Sequence, residues 1–299
     1  MPEARAKPAQ SLRVQPFRNS AEFVRLFPTD ATLTTLASGF QFLEGPVWYP
    51  AGGGLVFSDI PANRLWRWTP ETGPQLFRAP SHHANGNTLD RQGRLLTCEH
   101  SGRRVVRQEP DGTLTVLADR YQGRRLNSPN DLTVDAQNRV WFSDPPYGIQ
   151  PDDQEQPACF VFRLDPDGSL QTVADDFIKP NGLCFSPDET ILYISDTAND
   201  RHHIRRFRVN SAGCLSGGDE FIVIRPGKSD GFRVDRQGRI WTSAGDGVWV
   251  LSPAGDVLGK ILVPETPSNL CFGGPAGDWL FITARTSLYA IRLAAGLGG

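Results

Sequence analysis

Apolar residues in this chain come in short runs broken by Gly, Pro, Asp and Asn, and almost nowhere at helical spacing. Runs such as GLVFSD, LLTCE, VWFSD, ILYISD and WLFITA are of strand length and are rich in β-branched and aromatic residues. One stretch, SAEFVRLF (residues 20–27), has the spacing of a short helix, with Asn19 or Ser20 as its cap. The rest reads as all-β.

The strands recur in a fixed grammar. EGPVWYPAGGGLVFSDI, NGNTLDRQGRLLTCEH, NDLTVDAQNRVWFSDP, NGLCFSPDETILYISD, DGFRVDRQGRIWTSAG and SNLCFGGPAGDWLFITA are each followed by a third strand, and most by a fourth. Their opening residues are Glu44, Asn85, Asn130, Asn181, Asp230 and Ser268, spaced 41, 45, 51, 49 and 38 residues apart. Four short strands in about 40–50 residues is the period of a β-propeller blade. The pattern predicts a six-bladed β-propeller with four-stranded antiparallel blades. The sixth unit ends after three strands, so the run ATLTTLA (residues 31–37) is expected to supply its fourth strand and close the ring. The predicted organisation is an N-terminal extension with a short helix over residues 1–30 and a single propeller domain over residues 31–299.

In a propeller the first strand of each blade lines the central channel, so equivalent opening residues converge on one axis. Here that column is polar and bears oxygen throughout, with two carboxylates, Glu44 and Asp230, and no sulfur or imidazole. Hard cations prefer such donors. A divalent cation is expected, calcium first, with magnesium, manganese or zinc as competitors. The plain alternative is a column that binds channel water or caps the blade starts.

Composition narrows the classes. The net charge of −2 gives no broad pull toward nucleic acid. Gly 30 and Pro 24 without a short period fit many tight turns. Five cysteines without a CxxC pair suggest neither a disulfide framework nor a thiolate zinc site. No apolar segment is long enough to span a membrane, and the N-terminus has no signal-like core. A cytoplasmic protein that engages neither nucleic acid nor membrane is expected.

The motifs LEGPVW, SPNDLTVD, FSDPPYG, KPNGLCFSPD, YISDT and SDGFRVD, from about Phe40 to Leu293, resemble those of the senescence marker protein, gluconolactonase and luciferin-regenerating enzyme family. The similarity is closest to its bacterial gluconolactonase branch. The resemblance implies a six-bladed propeller with one divalent ion in the channel, usually calcium, acting on a small sugar lactone. Carried over by motif, it implies Glu44, Asn181 and Asp230 as metal ligands, and Asn130 as a ligand or substrate contact. Some family members have a substrate-contacting arginine two residues before that asparagine. Here the position is Ser128, and Arg124 or Arg125 is the nearest substitute.

Opening a lactone needs a polarised carbonyl and an activated water. A cation supplies the first, and Asp230 is the expected base. Asn85, Ser128, Tyr147 and His100 complete the expected substrate contacts. His100 is read in a column with Asp59, Asp144 and Asp196 at second-strand ends, where Asp59 and Asp196 are expected to serve as turn or cap residues. His82-His83 and His202-His203 read as loop or strand-edge pairs. There is no GxSxG, GxGxxG or P-loop pattern. Two other readings fit the same ring: a phosphotriesterase using the same metal, and a calcium- or ligand-binding propeller without turnover.

Overall fold

The computed structural model describes residues 14–17 and 20–297. Six antiparallel sheets stand in a ring. Blade one comprises Leu43–Tyr49, Gly54–Asp59, Arg64–Thr69 and Gly73–Arg78; blade two, Ala84–Leu89, Leu95–Glu99, Arg104–Gln108 and Leu114–Ala118. Blade three comprises Leu132–Val134, Val140–Asp144, Cys159–Leu164 and Leu170–Phe177; blade four, Pro180–Phe185, Ile191–Asp196, His203–Val209 and Leu215–Val223. Blade five comprises Phe232–Val234, Ile240–Ala244, Gly247–Leu251 and Val257–Leu262. Blade six comprises Pro267–Gly273, Trp279–Ala284 and Ser287–Arg292, with Thr34–Ser38 as its outer strand. That strand pairs Thr34 with Ala290 and Ser38 with Ser287, so the first-made strand of the ring joins the last.

The second strands Gly54–Asp59, Leu95–Glu99, Val140–Asp144 and Ile240–Ala244 are buried at every position, because each blade is covered on both faces by its neighbours in the ring. Six apolar clusters result. Leu96, Val105 and Leu132, Phe142 sit between blades two and three; Trp141, Val161 and Leu183, Ile194 between three and four. The cluster between blades five and six is the largest and takes in Phe23, Leu26 and Phe27 from the N-terminal segment. Helix Ala21–Val24 starts at Ser20, whose Oγ accepts from Phe23 N at 3.2 Å. Asn19 lies outside the described residues. Phe23 is held over Gly259, where a Cβ would come within 2.5 Å of its ring.

One strand was not anticipated. Val14–Pro16 adds a fifth, outer strand to blade five, pairing Val14 with Ile261. Three residues ending in proline carry almost no pattern of their own, and an edge is where proline is tolerated. Among the described residues no helix is long and apolar enough to cross a membrane. All five cysteines are free.

Three hairpins share the sequence Asp-x-Gln-x-Arg: 90–94, 135–139 and 235–239. In the last, Asp235 Oδ1 accepts from Gln237 N and Arg239 N at 3.0 Å each, and Oδ2 from Arg239 Nε at 2.7 Å and Trp241 Nε1 at 2.9 Å. Asp135 repeats all four bonds. Asp235 is fully buried and Arg239 nearly so. Removing one partner strands the other charge in a site closed to water. Asp235→Ala is therefore expected to cost about 3–5 kcal/mol, read as a lower urea midpoint. Activity per folded molecule should be unchanged.

Candidate active site at the channel mouth

The inner strands all begin at the same end of the channel, and there they are tied to one another. Gly86 N donates to Asn130 O at 2.8 Å, Gly182 N to Asp230 O at 3.0 Å and Gly231 N to Ser268 O at 2.8 Å. Ser58 Oγ donates to Asn85 O at 2.6 Å. These bonds hold the blade openings at fixed spacing around one cavity of about 320 Å³. Its wall includes Glu44, Asn85, His100, Asn130, Tyr147, Asn181 and Asp230, with Phe42, Ile60, Thr197 and Lys228. The volume is at the lower end for small-molecule sites and suits a single ring.

Residues from five of the six openings thus face one space. The sixth, Ser268, does not. Its hydroxyl donates to Leu43 O at 2.6 Å and closes the seam between blades six and one. The residue after it, Asn269, reaches the axis instead.

Buried acids crowd the ring. Glu44 is 4% exposed, and burial, Asp230 and Asp131 push its carboxyl well above the usual range. Asp230 keeps part of its surface open to the cavity. Burial, then Asp131, raises it to about 7, opposed by Asn181 and Lys228. Asp131, buried beneath them, is likewise raised by burial. Three carboxylates face each other with Lys228 and Arg233 as the nearby positive charges. Among the described residues no group of three or more His, Cys, Asp and Glu side chains is disposed to hold a metal by itself. The available set mixes carboxylate with amide oxygens, which fits a hard cation that accepts neutral carbonyl donors.

His100 needs a correction of register. Leu43 pairs with Asp59 and Pro180 with Asp196, and the matching pair in blade two is Ala84 with Glu99. Glu99, not His100, therefore belongs to the aspartate column. The aspartates take backbone N–H groups just ahead of the inner strand: Asp59 from Phe42 at 3.0 Å, Asp144 from Asn127 at 2.8 Å, Asp196 from Lys179 at 3.0 Å. Glu99 pairs with Arg78 and Arg104 instead. His100 is one residue further on, level with Ile60 and Thr197, and all three line the cavity. Its Nε2 lies 3.1 Å from Asn85 Nδ2, so a neutral ring accepting there turns the Asn85 oxygen away from itself. Burial, aided by His83, lowers His100 to about 4.

Ser128 is displaced from the expected role. It is fully buried. Its Oγ donates to Pro145 O at 2.7 Å and accepts from Gly148 N at 2.8 Å. It staples the loop that carries Tyr147 rather than facing the cavity. Arg124 and Arg125 sit in the hairpin Arg120–Tyr121/Arg124–Arg125 and do not line the cavity either. The cation in the wall is Lys228, whose Nζ donates to Thr197 O at 2.6 Å and Asn199 Oδ1 at 3.0 Å. Sequence reasoning passed over it although KSDG was in view: Lys228 precedes Asp230 at the offset by which Lys179 precedes Asn181. Tyr147 is 43% exposed; its hydroxyl is 2.6 Å from Thr197 Oγ1, and Lys179 Nζ lies 5.2 Å from its ring centre. His203 does not line the cavity, and its Nδ1 lies 2.9 Å from Glu220 Oε2 on the neighbouring outer strand. A second depression, of about 480 Å³, lies between blades three and four. Of its charged groups, Arg139 pairs with Asp135 and Glu189 with Arg91, and Asp188 accepts from Ser186 Oγ at 2.6 Å and Thr190 N at 3.1 Å.

Because His100 stays neutral in the fold while the unfolded group protonates near 6.5, stability is unaffected above that pH. It falls as pH drops from 6.5 toward 4, since protons then bind the unfolded chain preferentially. His100→Gln is expected to flatten this limb, measured by thermal unfolding across pH 4–7.

The chain is similar to a group of known proteins. Residues 42–286 match the family described as the SMP-30/Gluconolactonase/LRE-like region. A gluconolactonase of Zymomonas mobilis is 35% identical, over 87% of this chain and 81% of its own length. A pentonolactonase of Haloferax volcanii is 34% identical, over 80% of both. A solved gluconolactonase of Xanthomonas campestris superposes with a TM-score of 0.90 at 39% identity, covering 98% of this chain and 99% of that one. The chain belongs to the SMP-30/gluconolactonase/LRE-like family.

Proposed function

We propose that this protein is a divalent-metal-dependent lactonase that opens glucono-1,5-lactone or a related aldonolactone to the aldonic acid. The observation that carries this reading is the meeting of Glu44, Asn130, Asn181 and Asp230 around one ring-sized cavity. Relatives named as lactonases at 34–35% identity support the reaction class.

Glu44, Asn181 and Asp230 are the residues to hold the cation, with Asn130 as a fourth ligand or as a contact to substrate. Calcium is favoured because the donors are all oxygen and partly neutral. When bound, the cation supplies Lewis acidity to the lactone carbonyl and offsets negative charge developing on its oxygen.

The chain's own groups do the rest. Asp230 stands in the cavity wall, so its carboxylate is placed to act as general base on a water bound there. It takes the proton from the attacking water on one carboxylate oxygen, and returns it as the ring oxygen leaves. Asn85, oriented by His100, and Asn130 offer amide groups to the sugar hydroxyls. Tyr147 closes one side of the cavity, pinned by Thr197, and Phe42 and Ile60 give it an apolar wall that limits water.

Asp230→Asn should keep the fold and lose at least about 1000-fold in kcat, since it removes the base and one anionic donor together. Lactone opening is read by pH-stat on an aldonolactone panel with phosphotriesters alongside. Chelation should abolish activity, and added calcium should restore it. Full activity in Asp230→Asn, or in thoroughly stripped enzyme, would refute the assignment.

A further inference from the structure

One position along the ring is occupied unevenly. The residue after each blade opening is Gly45, Gly86, Gly182 and Gly231 in blades one, two, four and five. In blades three and six it is Asp131 and Asn269. Blades three and six stand opposite each other in a six-membered ring, so these two side chains reach across the channel. They meet: Asn269 Nδ2 is 3.3 Å from Asp131 Oδ2. The glycines make the space. A Cβ on Gly231 would come within 2.0 Å of Asn269 Cγ, and one on Gly86 within 2.6 Å of Asp131 Oδ1.

The amide of Asn269 has one orientation that satisfies its neighbours. Its Oδ1 accepts from Leu270 N at 2.8 Å, which turns Nδ2 toward the axis. There Nδ2 also donates to Glu44 Oε2 at 3.0 Å. Glu44 Oε2 takes a second bond from Gly45 N at 2.7 Å. Both bonds fall on Oε2, and Oε1 takes part in neither. Asp131 is fixed in turn by Leu132 N on Oδ1 at 2.9 Å, with Arg233 Nη1 3.9 Å from Oδ2.

We infer that Asn269 is a positioning residue for the cation site. Together with Asp131 it forms the floor of the channel, and it locks Glu44 through Oε2 so that Oε1 is the oxygen presented to the ion. Asparagine suits the place because it accepts from its own strand while donating to two acids. Leucine of similar size would leave both carboxylates without that donor. Aspartate would add a fourth carboxylate to Glu44, Asp131 and Asp230. This inference rests on the cation reading above.

The test is calorimetric titration of calcium chloride into chelator-stripped wild type, Asn269→Leu and the milder Asn269→Ser, with circular dichroism as the check on folding. Both variants should bind calcium more weakly, Asn269→Leu by about 10–100-fold, the range for losing an outer-shell partner of a ligand. At saturating calcium kcat should recover to within a few fold, with KM for the lactone little changed, because Asn269 does not touch substrate. A merely structural role would lower the melting temperature and leave calcium affinity alone. Calcium affinity within twofold of wild type in a folded variant overturns the inference. If wild type itself takes up no calcium, magnesium or manganese, the cation reading fails, and this inference falls with it.

Discussion

Three backbone bonds tie the blade openings to one another at the mouth of the channel. Gly86 N to Asn130 O, Gly182 N to Asp230 O and Gly231 N to Ser268 O each join one blade to the opening residue of the next. They are possible only because the donor residue lacks a side chain. A Cβ on Gly86 would lie 2.6 Å from Asn130 O, and one on Gly182 would lie 2.4 Å from Asp230 O. Gly45 is the extreme case, with φ +52° and a virtual Cβ 2.0 Å from Asn85 O. Such contacts admit glycine alone. The glycines that look like turn punctuation in the sequence therefore set the distances between acids and amides drawn from blades that are distant along the chain.

That spacing has a cost. It buries Glu44, Asp131 and Asp230, which raises their affinity for protons, and it sets Asp131 close enough to raise Asp230 further and both aspartates close enough to raise Glu44. A carboxylate whose folded pKa lies above its unfolded value destabilises the fold once pH rises past both, and the penalty is relieved as pH falls. The clustered acids thus cost stability at neutral pH. The apolar clusters between blades, and the closure of blade six by Thr34–Ser38, are what offset that loss. A bound cation would offset it further, which couples metal uptake to stability.

The architecture was legible because it is repeated. Six openings, strand lengths and the completing strand before Glu44 all follow from one period read several times over. The convergence of Glu44, Asn85, Asn130, Asn181 and Asp230 followed from the same period, since equivalence along the chain becomes proximity on an axis. What failed to show were the exceptions to equivalence. Ser268 has the right place but a side chain turned to Leu43 O, and the side chain of its blade that bonds Glu44 and Asp131 is one residue later, at Asn269. His100 was misread by one position because a glutamate, Glu99, stands where other blades have aspartate. Ser128 matched a motif position by number, yet its hydroxyl is consumed by the loop at Pro145 and Gly148. Pattern reports the backbone position; which way a side chain turns depends on the donors and acceptors around it.

The uneven filling of the ring also suggests how one scaffold separates holding an ion from holding a substrate. On the proposed reading the anionic donors come from blades one and five and a neutral amide from blade four, so ion binding is concentrated on one arc. The groups left for a sugar, Asn85 and His100 from blade two and Asn130 and Tyr147 from blade three, come from the arc between them. Tyr147 sits on a loop secured by Ser128, outside the strand ladder, and a loop tolerates change better than an inner strand does. Asn130 stands at the boundary between the two arcs. Its backbone is fixed on both sides, by Gly86 N at its carbonyl and by Ser143 O at its N–H, so it can serve either arc through its side chain without moving its strand. Substrate preference can therefore drift through blades two and three while the three glycine bonds keep the ion's ligands in register.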